Sequence, residues 1–329
     1  MANYDDLFNV QHDEVAESGA ELHPFDMNEY KARKQAERDN VYGLIDHTAE
    51  EMKSNGEKFQ TYLDVQARFD RYSVNNAILI AAQLPEAVGP LKAFDDWKAE
   101  NVYIKRGEDA VSILEPGKEY TKDDGNTATG FNVKKVFDLS QTKAQRTAPV
   151  VTRDGRLLLK SLISHAPCEM KISENMPENM NAVYSAKEKT IYVRQGMDAP
   201  DIFRALSSEL AHAHMDKEGD YRRAGNLSAA YCVSYILCKR YGVPTDMFHF
   251  DNMPEEYKKM ETADFRKELA KIRDVAGEIS RDMNRTLEEQ TRSKKDRGEE
   301  ARYGALRCQS TERCKRLAMR SLFCSLWSV

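Results

Sequence analysis

The chain of 329 residues is 41% hydrophobic, 31% charged and 9% aromatic, with a formal net charge of -5. This apolar content is sufficient for one large core or two modest ones, which excludes collagen-like, wholly disordered and small disulfide-stapled proteins. The net acidity argues against a protein that coats nucleic acid through overall charge, but it leaves room for a local basic patch.

Cysteine usage and the first residues bear on the cellular compartment. The six cysteines include no CxxC pair, which is typical of free thiols in a reducing environment. Residues 1–6 are polar and acidic, unlike the basic start and apolar stretch of a secretory signal. The longest apolar run, Ala77 to Ala82, is far shorter than the roughly 20 residues that span a bilayer. We therefore expect a cytoplasmic protein with no membrane partner.

Hydrophobic periodicity in the first quarter of the chain predicts an arm followed by helices. Residues 1–34 mix acidic and polar residues without sustained periodicity, and we interpret them as a mobile arm. Apolar residues at helical spacing, with breaks at Asn55-Gly56 and Pro85, then indicate three helices. These helices should cover Tyr30 to Ser54, about Lys58 to Arg68, and Ser73 to Gln83, the last with Ser73 as its N-cap.

Between Asn101 and Thr142 the pattern changes from helical periodicity to short β-prone runs. These runs alternate with turn dipeptides, which predicts three strands in a small antiparallel sheet. The predicted strands are Val102 to Ile104, Val111 to Leu114 and Val133 to Leu139. The turn dipeptides are Arg106-Gly107, Pro116-Gly117 and Asp124-Gly125.

A second, mainly helical unit is predicted after about residue 145. Asp198 should cap one of its helices, and Gly242 should end another. The predicted elements are a helix from Arg156 to His165, a hairpin from Ala182 to Val193 turning at Lys187-Glu188, and helices from Asp198 to about Asp216, Asn226 to Tyr241 and Ala263 to about Gln290. The fold class is therefore α+β, with a small mixed helix and antiparallel-sheet domain preceding a mainly helical domain.

The last part of the chain, residues 291–329, differs in composition and is interpreted as a basic, cysteine-containing tail. Residues 301–329 hold six Lys or Arg and one Glu, so they contribute +5 and the preceding 300 residues carry -10. The spacing of Cys308, Cys314 and Cys324 matches no common zinc pattern, which favours free thiols.

The segment Ser208-Glu209-Leu210-Ala211-His212 is similar to the HExxH pattern. In that pattern, two histidines four residues apart on a helix hold zinc while the glutamate activates a water. Ser208 stands at the first histidine position, so Glu209 is left as a candidate general base and His212 as a candidate metal ligand. Asp216 shares a helix face with His212 and could complete an oxygen-rich site. The alternative is that His212 packs in the core while Glu209 pairs with a cation.

The order of several short motifs resembles that of the ArdC-type antirestriction proteins, also called LtrC-like in mobile elements of Gram-positive bacteria. The motifs are Ser73-Val74-Asn75-Asn76-Ala77, Phe94-Asp95-Asp96-Trp97, Ile104-Lys105-Arg106-Gly107-Glu108, Val136-Phe137-Asp138-Leu139-Ser140-Gln141-Thr142, Glu209-Leu210-Ala211-His212-Ala213 and Val233-Ser234-Tyr235-Ile236-Leu237-Cys238. The resemblance implies a single-stranded-DNA-binding domain at residues 35–145 and a zincin-like metallopeptidase domain at residues 146–290.

This chain departs from the peptidase pattern of that family. The family has histidine at the position of Ser208 and an acidic third ligand on the next helix, where this chain has Ala229, Ala230 and Tyr231. A catalytic zinc site needs three protein ligands plus water. We therefore expect a degenerate zincin-like domain, a pseudoenzyme with no cofactor, and zinc only if the site is active.

Candidate DNA-binding residues combine cations, aromatic rings and amides, since single strands are bound by a basic groove with stacking platforms. Residues 41–145 carry 13 Lys or Arg against 17 Asp or Glu, so binding requires a focused patch. Trp97 has an alternative role as a core residue. The candidates are Asn75, Asn76, Trp97, Tyr103, Lys105, Arg106, Lys134 and Lys135, with Phe131 as a further stacking group.

The sequence thus predicts a cytoplasmic protein of mobile-element, antirestriction type that binds single-stranded DNA and carries an inactive peptidase-like domain. Two alternatives remain open. One is an active zinc-dependent peptidase that uses Glu209 and His212, and the other is a non-catalytic module that binds a protein partner. Metal content and salt-dependent oligonucleotide binding distinguish the three.

Overall fold

The computed structural model describes residues 26–121, 127–144, 154–216 and 221–290, together with Arg292. Helices dominate this part of the chain, and the strands form two small sheets of three strands each. The expected α+β class is therefore confirmed. No helix in these ranges is both long and apolar enough to cross a membrane.

The first three helices follow the predicted pattern. They are α1 (Met27–Ser54), α2 (Gly56–Arg68) and α3 (Val74–Gln83). Helix α1 begins inside the predicted arm because Asp26 caps it and accepts hydrogen bonds from the backbone N–H groups of Asn28 and Glu29. The rest of that predicted arm, residues 1–25, lies outside the described residues. Ser73 caps α3 as expected.

The first sheet has the strand order β1-β3-β2 and is antiparallel throughout. Its strands are β1 (Leu91–Lys92), β2 (Val111–Thr121) and β3 (Thr127–Asp138), and the short helix α4 (Phe94–Ala99) follows β1. The strand predicted at Val102 to Ile104 is wrong, since Ile104 forms only an isolated bridge with Thr142.

The predicted break at Pro116-Gly117 is also wrong. Strand β2 continues through it to Thr121, with a bulge between Pro116 and Glu119. A bulge absorbs residues that cannot pair, so the ladder with β3 resumes beyond the proline. The predicted turn at Asp124-Gly125 lies outside the described residues.

Two amide side chains of α3 cover the free edge of β2. Asn76 donates from Nδ2 to the Leu114 carbonyl at 2.9 Å and accepts from the Leu114 N–H at 2.7 Å. In the same way, Gln83 donates from Nε2 to the Ser112 carbonyl at 3.0 Å and accepts from the Ser112 N–H at 2.9 Å. These four bonds satisfy backbone groups that an edge strand otherwise exposes, and they fix α3 against the sheet.

The second unit contains helix α5 (Gly155–Ile163) and a sheet with the order β4-β6-β5. Strands β5 (Ala182–Ser185) and β6 (Thr190–Arg194) form the predicted hairpin, while β4 (Glu169–Ser173) runs parallel to β6 and was not predicted. Four helices follow: α6 (Ala199–Met215), α7 (Leu227–Tyr241), α8 (Glu255–Lys259) and α9 (262–290). Asp198 caps α6, and Gly242 ends α7 in the left-handed conformation at φ 72°, both as predicted.

One hydrophobic cluster extends from the first helices through α6, α7 and α9. Phe59 of α2 contacts the rings of Phe250, Tyr257 and Phe265, with centroids 5.8–6.1 Å apart. A Cβ added at Gly56 would lie 1.7 Å from the Phe250 carbonyl oxygen. Only glycine therefore lets the start of α2 approach this chain segment so closely.

Candidate functional site

Helix α6 holds all three residues that the degenerate HExxH pattern singled out, but it gives each a different partner. Glu209 and His212 lie on its buried side, and Asp216 is its C-cap. Their side chains were expected to converge if the site bound a metal. No group of three or more His, Cys, Asp or Glu that could hold a metal ion occurs in the residues that the structure describes.

Glu209 is fully engaged by hydrogen-bond donors. Arg223 donates from Nη1 to Oε2 at 2.7 Å and from Nη2 to Oε1 at 2.6 Å, and the Tyr184 N–H donates to Oε2 at 2.7 Å. Such a bidentate pair is the strongest arrangement of arginine with a carboxylate. The alternative in which Glu209 pairs with a cation is therefore the arrangement observed, and Arg223 is a residue that sequence reasoning missed.

His212 is almost completely buried, with 1% of its surface exposed. Its Nδ1 lies 2.9 Å from the hydroxyl oxygen of Tyr221. Burial and the neighbouring Arg223 charge lower the pKa of His212 to about 4, against an opposing effect of Glu209. The imidazole is therefore neutral at pH 7 and forms part of the interior.

The Asp216 carboxylate pairs with a different cation, Lys189, and shares Tyr184 with Glu209. Its Oδ2 accepts from the Tyr184 hydroxyl at 2.9 Å and from Lys189 Nζ at 2.7 Å. Tyr184 thus contacts Glu209 through its backbone and Asp216 through its side chain. These contacts do not fit a metal site formed by Glu209, His212 and Asp216. Both carboxylates already pair with protein cations, Glu209 with Arg223 and Asp216 with Lys189.

A cavity of about 390 Å³ opens between α2, α6, α7 and the segment before α8, and we call it the α6 cleft. Its floor is formed by buried apolar and aromatic residues, and its mouth by exposed ones. The lining residues are Phe59, Ser208, His212, Arg223, Leu227, Ser228, Tyr231, Cys232, His249, Phe250, Asn252, Met253, Pro254 and Tyr257.

Two of the candidate DNA-binding residues are buried structural groups. Trp97 is 2% exposed, and its Nε1 donates to the Phe137 carbonyl at 2.9 Å. Asn76 is committed to the edge of β2. The amide of Asn76 is thus occupied by backbone partners, and the core role considered for Trp97 is the one observed.

Four other candidates contribute to none of the three cavities described for this part of the chain. Tyr103 is 62% exposed, and Lys105 and Arg106 are exposed beside it on the segment before β2. Lys105 Nζ donates to the Ser140 carbonyl at 2.6 Å. Asn75 is half-buried on α3. Tyr103, Lys105 and Arg106 therefore form an exposed set on one segment, whereas Asn75 lies on a different element.

The remaining candidates, Phe131, Lys134 and Lys135, lie on β3. Lys135 Nζ donates to the Ser112 hydroxyl at 2.7 Å. Lys134 and Phe131, which is 43% exposed, line a groove of about 420 Å³ that we call the β3 groove. Its other lining residues are Arg71, Tyr72, Ser73, Asn76, Leu91, Lys92, Ala93, Asp96, Ile113, Leu114, Glu115, Pro116 and Val136.

Arg71 and Lys92 were not predicted for this groove. Arg71 lies in the turn between α2 and α3, and Lys92 lies on β1, about 20 residues further along the chain. Only the tertiary structure brings them to the same groove as Lys134. Lys92 also lies over the Trp97 ring, 4.8 Å from its centroid. No sequence motif marks these cations, because isolated basic residues near turns are common on any surface.

A second depression, of about 550 Å³, is lined by Asn132 and Val133 of β3 and by the first turns of α1. Three cations of α1 contribute to it, Lys31, Lys34 and Arg38, and Arg38 donates to Asn132 Oδ1 at 3.1 Å. Glu37 is the acidic residue of this lining. Basic residues of α1 therefore lie close to the part of β3 that carries Phe131 and Lys134.

Comparisons with known proteins returned structural neighbours. No protein-family model matches the chain, and no curated protein is significantly similar in sequence. Two solved structures of the antirestriction protein ArdC from the R388 plasmid are similar, one metal-free and one with Mn(II) bound. The metal-free structure has a TM-score of 0.47 at 14% identity, over 65% of this chain and 86% of the ArdC chain. The Mn(II)-bound structure has a TM-score of 0.46 at 13% identity, over 65% of this chain and 84% of the ArdC chain.

Proposed function

We propose that this protein binds single-stranded DNA through the β3 groove. The observation that supports this best is the exposed Phe131 ring beside three cations, Arg71, Lys92 and Lys134, in one groove. Nonspecific single-strand binding combines cations that follow the phosphates with rings on which bases stack, and this groove offers both.

The charge balance of the groove sets the kind of binding to expect. Asp96 and Glu115 also line it, and Glu115 forms an ion pair of 3.3 Å with Lys134. Lys92 pairs with Glu100. Surface pairs of this kind contribute little stability, so a phosphate can replace the carboxylate as partner. We expect modest affinity that falls steeply with salt.

The depression along α1 extends the same surface. Lys31, Lys34 and Arg38 line it together with Asn132 and Val133, the two β3 residues that follow Phe131. A bound strand that continues along β3 past Phe131 would meet these cations as well. This arrangement favours an extended single strand over a small anion, which would need only one of the two clusters.

Fluorescence anisotropy with a labelled oligothymidine at low salt tests the proposal. Phe131→Ala should weaken binding about 5- to 100-fold, as expected for the loss of one stacked base. Ile172→Ala, which truncates another exposed apolar strand residue, is the matched control and should have no effect. Equal affinity of the Phe131→Ala protein and the parent would contradict the proposal.

Two further variants decide between the groove and other basic regions. Tyr103→Ala tests the surface set beside Lys105 and Arg106, and it should leave affinity unchanged if the groove is the site. Truncation after Glu300 removes the basic tail. Retained binding after truncation supports the groove, whereas loss of binding assigns it to the tail.

We also propose that the α6 cleft performs no metal-dependent hydrolysis. The support is the bidentate pair of Glu209 with Arg223, which occupies both oxygens of the carboxylate that would activate a water. Elemental analysis of the purified protein should find zinc and manganese far below one equivalent. Ser208→His, which restores two histidines four apart, should still bind no stoichiometric zinc. One equivalent of metal in the parent protein would overturn this.

The resemblance of the sequence motifs to ArdC-type proteins suggests an antirestriction role for this binding. A transformation assay tests it: the protein should raise the recovery of an unmodified plasmid in a restricting host. The Phe131→Ala variant should lose that protection. Protection that survives this variant would separate the antirestriction role from the groove and favour a protein partner.

A further inference from the structure

The first 25 residues carry a charge that differs from that of the rest of the chain, and we call them the acidic segment. They contain six carboxylates and no lysine or arginine, so their formal charge is -6. Because the whole chain carries -5, the other 304 residues together carry +1. A segment with one sign of charge is typical of an interaction tail. Its carboxylates belong to Asp5, Asp6, Asp13, Glu14, Glu17 and Glu21.

The acidic segment joins the described structure beside a basic surface. It is followed directly by Asp26, the N-cap of α1. The first turns of α1 line the depression of about 550 Å³ next to β3, which we call the α1 depression. Arg38, the cation of this lining that is farthest along α1, lies about 18 Å from Asp26 along the helix axis. Since 25 residues can extend over up to about 80 Å, the acidic segment can reach every cation of the depression.

The fold neutralises the cations of the α1 depression only in part. Lys31, Lys34 and Arg38 line it, against the single carboxylate of Glu37. Lys34 forms an ion pair of 2.8 Å with Glu37. Within the described ranges, Lys31 and Arg38 form no ion pair with a carboxylate, and Arg38 donates to the neutral Asn132 side chain. A polyanion can therefore pair with these two cations without displacing another carboxylate.

We propose that the acidic segment binds the α1 depression of its own chain and competes there with nucleic acid. Its carboxylates would pair with Lys31, Lys34 and Arg38 in place of phosphates. The covalent tether gives an effective concentration of about 1 mM, so even a weak contact is populated. The competition rests on the proposed binding of single-stranded DNA, whereas the contact itself does not.

Carbodiimide coupling tests the contact in the full-length protein without nucleic acid. The reagent joins a carboxylate directly to a lysine amine, so a coupled pair identified by mass spectrometry reports contact. Lys135 is exposed on β3 and lies near Glu37, whose pKa it lowers after the larger effect of Lys34. At low salt, we expect the acidic segment to couple to Lys34 and also to Lys135, which is remote in sequence. Lys267 on α9 is the control, because it is 79% exposed against 44% for Lys34 and should couple much less.

Three results of the coupling would overturn the proposal. The first is the absence of coupling to Lys135, or equal coupling to Lys267. The second is coupling confined to the basic end of the chain, at Lys294, Lys295 or Lys315. The third is coupling between two molecules, seen as a dimer on a denaturing gel, which would assign the segment to a second copy.

A double variant tests the cations of the depression. Lys31→Gln with Arg38→Gln leaves both reporter amines in place and should reduce coupling to Lys135 about 3-fold or more, as expected for the loss of two surface ion pairs. Lys259→Gln with Lys267→Gln removes two exposed charges elsewhere and is the matched control. Unchanged coupling in the first variant would overturn the assignment to these cations.

The competition is tested by anisotropy with labelled oligothymidine. The neutral-segment variant has the six carboxylates of the acidic segment replaced by the corresponding amides. Its affinity at low salt should exceed that of the parent about 3- to 10-fold, because a contact with a Kd of about 0.1–0.5 mM, tethered at about 1 mM, leaves that fraction of the surface free. The difference should shrink as salt rises, since both contacts are screened.

A matched variant controls for overall charge. It removes six negative charges from exposed positions of the second unit and should gain less than about 2-fold in affinity. Its replaced residues are Glu174, Glu178, Asp246, Asp251, Glu288 and Glu289. Equal gains by the two variants would assign the effect to general repulsion and overturn the competition.

The outcomes also separate this proposal from the proposed function. If the parent binds oligothymidine and the neutral-segment variant binds no more tightly, the competition is overturned and the β3 groove proposal stands. If neither protein binds, the groove proposal falls and the competition with it, whereas the coupling result still decides the contact.

Discussion

The β3 groove and the α6 cleft use the same kinds of residue in opposite ways. In the groove, Lys92 and Lys134 are partly exposed and paired with surface carboxylates, so water and ligands can compete for them. In the cleft, Arg223 is as exposed as Lys134, but it forms a bidentate bond to Glu209, whose side chain is buried. Burial of the carboxylate partner therefore separates the cations that are available for binding from the cation that maintains the fold.

The largest effect on stability should come from breaking the ion pair of Glu209 and Arg223 in the cleft. Arg223→Ala leaves Glu209 buried without its cation, and we expect a loss of about 2–4 kcal/mol in the free energy of unfolding. Denaturant titration measures it. The double variant with Glu209→Gln should recover part of this loss, because the uncompensated charge is removed. If the Arg223→Ala protein is as stable as the parent, solvent screens the Glu209–Arg223 pair as strongly as it screens the ion pairs of the groove.

Acid should destabilise the cleft through His212. Its pKa is about 4 in the folded state and about 6.5 when unfolded, so the unfolded chain binds the proton first as pH falls. Above pH 6.5 the imidazole is neutral in both states, so its burial does not reduce the free energy of unfolding. As the pH falls from 6.5 towards 4, protonation of the unfolded chain progressively lowers that free energy. Between pH 7 and 4.5 this amounts to about 2–3 kcal/mol of unfolding free energy.

His212→Gln tests that dependence, since glutamine retains a polar group near Tyr221 but does not titrate. Urea unfolding of parent and variant at pH 7 and 4.5 should give a smaller acid-induced loss for the variant. Equal losses in both proteins would show that His212 does not contribute to the acid sensitivity.

The shape of the cleft should depend on Gly56. Gly56→Ala places a Cβ against the Phe250 carbonyl, and we expect a loss of about 1–3 kcal/mol in stability. Gly43→Ala on α1 is the matched control, because its Cβ meets nothing within 4 Å. The control should be stabilised by about 0.5–1 kcal/mol through helix propensity. If the Gly56→Ala protein unfolds at a higher temperature than the Gly43→Ala protein, the close approach of Gly56 to the Phe250 carbonyl is contradicted.

The smallest effect on folding should come from the groove, where the readout is binding. The triple variant replaces Arg71, Lys92 and Lys134 by Ala. Each of these substitutions should change the free energy of unfolding by no more than about 0.5 kcal/mol. The slope of log K against log salt for oligothymidine should decrease in magnitude by about 2, since each phosphate contact on a single strand contributes about 0.7. An unchanged slope would remove these cations from the interface.

Local signals in the sequence were sufficient for most helices. Ser73, Asp198 and Gly242 act as the caps and stop that were predicted, because capping depends on nearest neighbours along the chain. The errors fall in the strands, where pairing partners decide the outcome. Pro116-Gly117 is a turn signal that the continuous partner strand β3 overrides through a bulge.

The sequence by itself determined the α+β class, the helix that carries Glu209 and His212, and the absence of the first histidine of the zinc pattern at Ser208. The tertiary structure alone decided what those residues contact, since Arg223 lies 14 positions beyond Glu209. It also decided that Arg71, Lys92 and Lys134 line one groove. Helical periodicity and capping act over a few residues, whereas the availability of a charge depends on burial and on partners distant in sequence.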